Sequence, residues 1–379
     1  VKIAMRLSEP EKWTGGVNYL FNMAQAVRQH DASTAFQVFI SAHNVAGYRD
    51  RATATCGVAP MVLEETSKIT VAKALVGIHD QSVIQTFRQA GVDVYFEASG
   101  YIGPSPGVPV ISWLPDFQHR HLPGLFSKKA WWLREVRFRR IIQSRAHIML
   151  SSEDAYNDLL NFYGKPQGQV HVVPFAVLPP KGATWDSGEQ VRIELGLPER
   201  FIFLPNQFWL HKNHGLIVHA LAQMGDAAPC IAASGSGKDD RAPGHFDHLL
   251  QRIASHGLES KFRILGAIPF SSVLALNARA DALINPSLFE GWSTTVEEAK
   301  ALGTPLVLSN LDVHREQAGD RALYFDPHSP QSCAEALARV EPRPRWQPGE
   351  TLKDGAGALS SFEAFGQLAS NVFSKVRSC

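Results

Sequence analysis

Two glutamates eight residues apart, Glu290 and Glu298, flank a helix start in the stretch Asn285-Pro286-Ser287-Leu288-Phe289-Glu290-Gly291-Trp292-Ser293-Thr294-Thr295-Val296-Glu297-Glu298. The apolar residues Ala282 to Ile284 before it read as a buried strand, the middle as a polar loop carrying Glu290, and the rest as a helix carrying Glu298. A helix opening after a strand aims free N–H groups and its dipole at an anion such as phosphate. Carboxylates beside such a site suit a different partner, the hydroxyls of a sugar or a ribose. Together they imply chemistry on a nucleotide-sugar. Local structure offers a competing account. Thr294 with Glu297, and Thr295 with Glu298, each match a capping box, which would leave Glu290 as a solvated loop carboxylate. Its neighbours Phe289, Gly291 and Trp292 weigh against solvation.

A second stretch, Leu204-Pro205-Asn206-Gln207-Phe208-Trp209-Leu210-His211-Lys212-Asn213-His214-Gly215, also follows a strand and opens a helix. Lys212 stands where a cation neutralises charge on a departing phosphate; the plainer alternative is a surface loop lysine. Gly15-Gly16-Val17, between the first strand and the first helix, permits close backbone approach to a ligand, with Asn18 beside it. The full Gly-x-Gly-x-x-Gly series is missing, which argues against a nicotinamide or flavin. Asp116, His119 and His121 follow an apolar strand, where α/β sheets present side chains to ligands. A metal on those histidines needs further ligands, and no His-Glu-x-x-His pattern exists. Ser234-Gly235-Ser236-Gly237-Lys238 and Leu265-Gly266-Ala267-Ile268 each follow a strand and read most simply as chain reversals. No Asp-x-Asp pair is present to hold a diphosphate through a divalent metal. Neither a metal nor a cofactor is expected.

The elements that position these groups alternate. Strands are expected at 2–7, 36–40, 92–96, 108–114, 147–150 and 170–173, with helices at 16–29, 80–90, 127–144 and 152–163. A proline-rich stretch, 174–182, breaks the pattern and reads as a linker. A second series follows, with strands at 201–204, 229–233, 262–265, 282–284, 305–308 and 322–325. Its helices are 214–224, 246–256, 271–278, 295–302 and 331–340. Residues 342–357 read as loop, and Phe362, Phe365, Leu368, Val372, Phe373 and Val376 give the last segment an amphipathic helical pattern. Alternation of this kind implies α/β architecture, two doubly wound domains facing across a cleft, with ligands at strand C-terminal ends.

Composition narrows the class. With 379 residues and a formal net charge of +1, the chain is long enough for two cores and has no nucleic-acid signature. Its four cysteines are scattered, so a reducing, cytoplasmic setting fits better than a disulfide framework. No apolar run is long enough to span a membrane, and the chain opens on a strand-like segment rather than an apolar leader. One helix stands out. Lys128, Lys129, Trp131, Trp132, Arg134, Arg137, Arg139 and Arg140 share it with a single acid, Glu135. Basic residues mixed with tryptophan suit peripheral contact between Lys128 and Arg140 and an anionic membrane face. A solvated helix with buried tryptophans fits equally well.

Asn285-Pro286-Ser287 followed by Glu290 and Glu298 resembles the glutamate motif of the retaining glycosyltransferases of family four (glycosyl transferases group 1), which have the GT-B fold. The resemblance runs strongly from about Phe201 to Pro327 and more weakly before. It implies two Rossmann-like domains: an acceptor domain over 1–175, a nucleotide-sugar donor domain over 176–357, and a C-terminal helix, 358–379, packing back on the first. It implies that Glu290 touches the donor sugar and Glu298 the ribose, while amides of Gly291, Trp292, Ser293 and Thr294 meet the diphosphate. Ser293 stands where the family often has a second glycine. Lys212 matches the lysine of the family's phosphate clamp, whose arginine is replaced by Asn206 or Gln207. Gly15 and Gly16 would lie near donor phosphate and acceptor, the Gly235 loop at the cleft, and Ile268 near the base. Asp116 matches the aspartate of a His-Asp pair whose histidine lies near the sugar and acceptor; Pro115 replaces that histidine, a role His119 would take over.

The activity so implied is metal-free, anomer-retaining transfer of a hexose-type sugar from a nucleoside diphosphate sugar to a glycan or lipid-linked acceptor, as in cell-surface polysaccharide synthesis. The chain would then be cytoplasmic or peripheral on the inner membrane face. Two alternatives stand beside it, a nucleotide-sugar epimerase of the same fold and a non-catalytic nucleotide-sugar binding protein.

Overall fold

A computed structural model describes residues 1–7, 14–63, 81–98, 101–103, 107–178, 185–343 and 358–377. The expected linker beyond residue 178 and most of the expected loop at 342–357 lie outside the described residues. The chain divides into two compact units, Val1–Ala176 with Ser360–Cys379, and Val177–Leu359.

The first unit holds seven parallel strands: β1 Lys2–Leu7, β2 Ala35–Ile40, β3 Met61–Val62, β4 Val94–Ala98, β5 Val110–Trp113, β6 His147–Leu150 and β7 Gln169–Val172. Their order is β3-β2-β1-β4-β5-β6-β7. Strands β4, β5 and β6 are buried along nearly their whole length, as crossover helices on both faces require. The C-terminal helix Ala358–Arg377 returns to this unit, as expected. Phe373 meets Phe36 and Phe96 edge-on, with ring centroids 6.0 and 5.9 Å away. Gly366 permits the crossing with the helix Thr14–His30, since a Cβ there would lie 2.3 Å from the Ala26 carbonyl oxygen.

The second unit holds six parallel strands: β8 Ile202–Leu204, β9 Ile231–Ser234, β10 Phe262–Gly266, β11 Ala282–Asn285, β12 Leu306–Ser309 and β13 Ala322–Phe325. Their order, β10-β9-β8-β11-β12-β13, reverses direction between β8 and β11. The crevice at the carboxyl ends of those two strands is where open α/β sheets bind ligands. Ile202, Leu204, Ile217, Leu221, Ile231 and Ile284 form much of the core beneath it. Most expected elements sit within a few residues of the observed ones. Among the described residues, the edge strand β3 and the helices Val45–Cys56, Gln118–His121, Trp185–Glu194 and Asp312–Ala318 were not expected. Val45–Cys56 buries only Ala52 and Cys56, so it lacks the apolar stripe that announces a helix.

Candidate active site

The second unit assembles its site from the loops that leave β8 and β11. Asn285, the last residue of β11, is fully buried, and each end of its amide is used. Its Nδ2 donates to Glu290 Oε1 (3.2 Å) and Ser293 Oγ (3.0 Å). Its Oδ1 accepts from Asn206 Nδ2 (3.2 Å) and from the Ser287 backbone N–H (3.2 Å). The Ser287 hydroxyl lies between Asn285 Oδ1 (2.6 Å) and Glu290 Oε1 (2.7 Å), with one proton to give to either. The loop after β8 therefore meets the loop after β11 through two asparagines. The Leu288 N–H donates to the His211 carbonyl at 2.8 Å and adds a second tie.

Lys212 reaches the same place. Its Nζ donates to Glu290 Oε1 at 2.6 Å, and both side chains are largely buried. The lysine ends a short 3-10 turn closed by Asn213 at φ 57°, a left-handed conformation that asparagine tolerates. Glu290 Oε1 thus lies within hydrogen-bond distance of Lys212, Asn285 and the Ser287 hydroxyl, while no described residue donates to Oε2. Burial, the largest influence on this carboxyl, pushes its pKa up. Lys212, His314 and the Lys212 and Ser287 hydrogen bonds outweigh it and hold the pKa at about 2. Glu290 is a fixed anion with one oxygen anchored and the other unengaged.

Glu298 differs in every respect. It is 6% exposed, its carboxyl has no hydrogen-bond partner among the described residues, and it is pushed up to about 8 by burial. It is a neutral acid near pH 7, able to donate as well as accept. The capping alternative for the two acids is not what forms. The helix Thr294–Ala301 is capped at Ser293 with no side-chain cap bond, and Glu297 binds Lys300 (2.8 Å) and Gln317 (3.0 Å) instead.

Gly291, Trp292 and Thr294 are half-buried around the start of that helix. Ser293 departs from expectation. Its N–H donates to Gln317 Oε1 at 2.9 Å, and Gln317 Nε2 donates back to the Ser293 carbonyl at 3.1 Å, so that amide is already engaged. Gly235 brings the loop after β9 against the loop after β8. It has φ +153°, and a Cβ there would fall 2.4 Å from the Asn206 carbonyl oxygen. Its N–H donates to the Gly266 carbonyl, which draws in the loop after β10, where Ile268 packs half-buried on the core.

The remaining expected residues lie in the first unit. Gly15 and Gly16 fall inside the first turn of the helix Thr14–His30 rather than in the loop before it; Gly15 is exposed and Gly16 buried. Asp116 accepts from Arg134 (2.6 Å) and from the Gln118 N–H (2.9 Å). His119 corrects its expected role. Its ring is fully buried, with Nε2 against Glu135 (3.2 Å) and the Tyr163 hydroxyl (3.1 Å). Burial holds its pKa down at about 4. A ring wedged between helices cannot reach a substrate, so His119 is a core residue here.

Sequence reasoning named Ser287 only as part of the motif, without a role, and passed over Ser309, His314 and Gln317. Ser309 ends β12, and its hydroxyl donates to the Ser287 carbonyl at 2.7 Å. His314 is fully buried and accompanies Glu290 electrostatically. Polar residues just after an apolar strand were the available signal for the two serines; nothing in the local pattern marks His314 or Gln317. Among the described residues no three His, Cys, Asp or Glu side chains gather as metal ligands, and no helix is long and apolar enough to cross a membrane.

Comparison with known proteins points the same way. Residues 189–348 match the model of the glycosyl transferases group 1 family. The chain is 24% identical over 251 residues to a D-inositol 3-phosphate glycosyltransferase of Corynebacterium glutamicum, covering 62% of this chain and 59% of that one. It is 27% identical over 146 residues to the O-antigen chain mannosyltransferase RfbU of Salmonella typhimurium, covering 38% and 40%. The chain therefore spans less than two thirds of these relatives' lengths. Two solved structures share its fold: a glycosyltransferase from Rickettsia africae (TM-score 0.71, 13% identity, covering 100% of this chain and 97% of that one), and Anabaena Alr3699/HepE in complex with UDP-glucose (TM-score 0.70, 16% identity, covering 99% of each). Together with the reversal at β8 and β11 and the two-glutamate loop following it, these matches make residues 189–348 similar to the glycosyl transferases group 1 family and the fold that of the GT-B glycosyltransferases.

Proposed function

We propose that the chain transfers a hexose-type sugar from a nucleoside diphosphate sugar to a glycan or glycolipid acceptor with retention of anomeric configuration, without a metal. The observation that carries this reading is the Lys212–Glu290 pair at the sheet's reversal point, followed in the chain by the buried acid Glu298 on the next helix. The second unit is the donor domain. Glu290 offers Oε2 to a sugar hydroxyl, and Glu298, neutral, exchanges hydrogen bonds with ribose hydroxyls. Lys212 swings from Glu290 to the diphosphate. As the anomeric C–O bond to the diphosphate breaks, Lys212 and the amides of Gly291, Trp292 and Thr294 hold the growing charge. The acceptor oxygen bonds to the same carbon from the same face, and its hydroxyl proton passes to the departing diphosphate oxygen.

The first unit receives the acceptor, and Gly15, Gly16 and Asp116 are its candidate residues. Its basic helix Lys128–Ser144 supports a lipid-linked acceptor: Trp132 is 61% exposed beside exposed Leu133 and Val136, and Lys128, Lys129, Arg139 and Arg140 are exposed around them. That face suits peripheral contact with an anionic cytoplasmic membrane surface.

The test is product analysis. Labelled nucleotide-sugar incubated with an extracted glycolipid acceptor should yield a glycosylated lipid, and Glu290→Ala should yield none while remaining folded. Conversion of the donor sugar without any acceptor would instead mark an epimerase. Binding without turnover would mark a binding protein.

A further inference from the structure

His314 has no part in the chemistry above, yet it is fully buried beside Glu290 with one ring nitrogen unused. Its Nδ1 lies 2.8 Å from the Ser309 carbonyl oxygen. A carbonyl only accepts, so Nδ1 carries the proton and the Nε2 lone pair is left bare. No described residue approaches that Nε2 as a hydrogen-bond partner. An orphaned polar atom in a fully buried side chain calls for an explanation.

The charged groups that bear on His314 are Glu290, from the loop after β11, and Lys212, from the turn after β8. On its other sides it meets the Ser309 oxygens, and the Tyr324 hydroxyl from β13, which donates to the His314 carbonyl at 3.2 Å. Glu297, another buried acid on the following helix, is already engaged by Lys300 and Gln317. With Lys212 on Glu290 the charges balance and a neutral ring suffices; burial holds His314 below the ordinary histidine range. When Lys212 leaves, a buried carboxylate loses its counter-charge, a state that is strongly unfavourable.

We propose that when Lys212 turns from Glu290 to a nucleoside diphosphate, His314 takes up one proton at Nε2 and replaces the lost positive charge beside Glu290. The proton comes from solvent and no bond between heavy atoms changes. His314 is thus a positioning residue, keeping Glu290 ionised and in place while its lysine serves the leaving group. The inference rests on the donor-site reading given under Proposed function.

Calorimetric titration of UDP-glucose and of GDP-mannose into the whole chain tests it, because these diphosphate diesters do not themselves titrate near neutrality. Repeating each titration in buffers of different ionisation enthalpy gives the protons taken up per ligand bound. The wild type should take up close to one proton, and affinity should fall by up to about tenfold per pH unit across the titration. His314→Asn keeps an N–H for the Ser309 carbonyl but has no base; it and His314→Gln should bind with uptake near zero. Binding without uptake by the wild type, or uptake unchanged in both variants, overturns the proposal and leaves the donor-site reading standing. Failure of both nucleotide-sugars to bind removes that reading, and the proposal with it.

Discussion

Lys212 Nζ and Glu290 Oε1 meet at 2.6 Å across the reversal point of the second sheet, one from the loop after β8 and the other from the loop after β11. An ammonium held this way is poised to release toward an anion, because the asparagine and serine donors keep the carboxylate in place without it. The pair is therefore a latch as well as an ion pair.

Removing the lysine alone should be costly. Lys212→Met leaves a 9%-exposed carboxylate without its counter-charge, and chemical denaturation should show a loss of about 3–5 kcal/mol. The double variant Lys212→Met with Glu290→Gln should recover much of that loss.

Glu290 also sets an acid limit. Its folded pKa of about 2 lies below the ordinary 4.5, so its stabilising contribution is complete above 4.5 and disappears as pH falls toward 2. Acid titration of unfolding should show this component in the wild type and not in Glu290→Gln.

Glu298 has the opposite sign. Its folded pKa of about 8 exceeds the ordinary 4.5, so the folded chain holds a proton that the unfolded chain releases. Stability should fall as pH rises from 4.5 to about 8. Glu298→Gln removes that slope, raises the melting temperature at the alkaline end, and weakens donor binding. A variant less stable than wild type at alkaline pH would contradict the burial argument.

Gly235→Ala tests how tightly the loops after β8 and β9 meet. The new methyl would collide with the Asn206 carbonyl at a backbone angle that side chains disfavour. A loss of about 1–3 kcal/mol is expected, with weaker nucleotide-sugar binding. Wild-type stability and affinity would mean that the contact relaxes freely.

How much of this was legible in the sequence varies by residue. Period and punctuation located nearly every strand, because a buried parallel strand must be apolar throughout and bounded by breakers. Glu290, Lys212 and Glu298 stood out because each follows a strand and flanks a helix start. The fate of His119 did not: Glu135 and Tyr163, which hold it, lie on two later helices. Nor did the engagement of the Ser293 amide, which depends on Gln317 from another helix. Such pairings are set by tertiary packing and leave no local period.

The most direct measurement is the thermal shift produced by saturating UDP-, GDP- and ADP-glucose in the wild type and in Lys212→Met, each against its own ligand-free baseline. The account predicts that at least one donor stabilises the wild type by several degrees and that Lys212→Met loses most of that gain. Equal shifts in the two proteins would show that the diphosphate does not reach Lys212, and would contradict the placement of the donor at this pair.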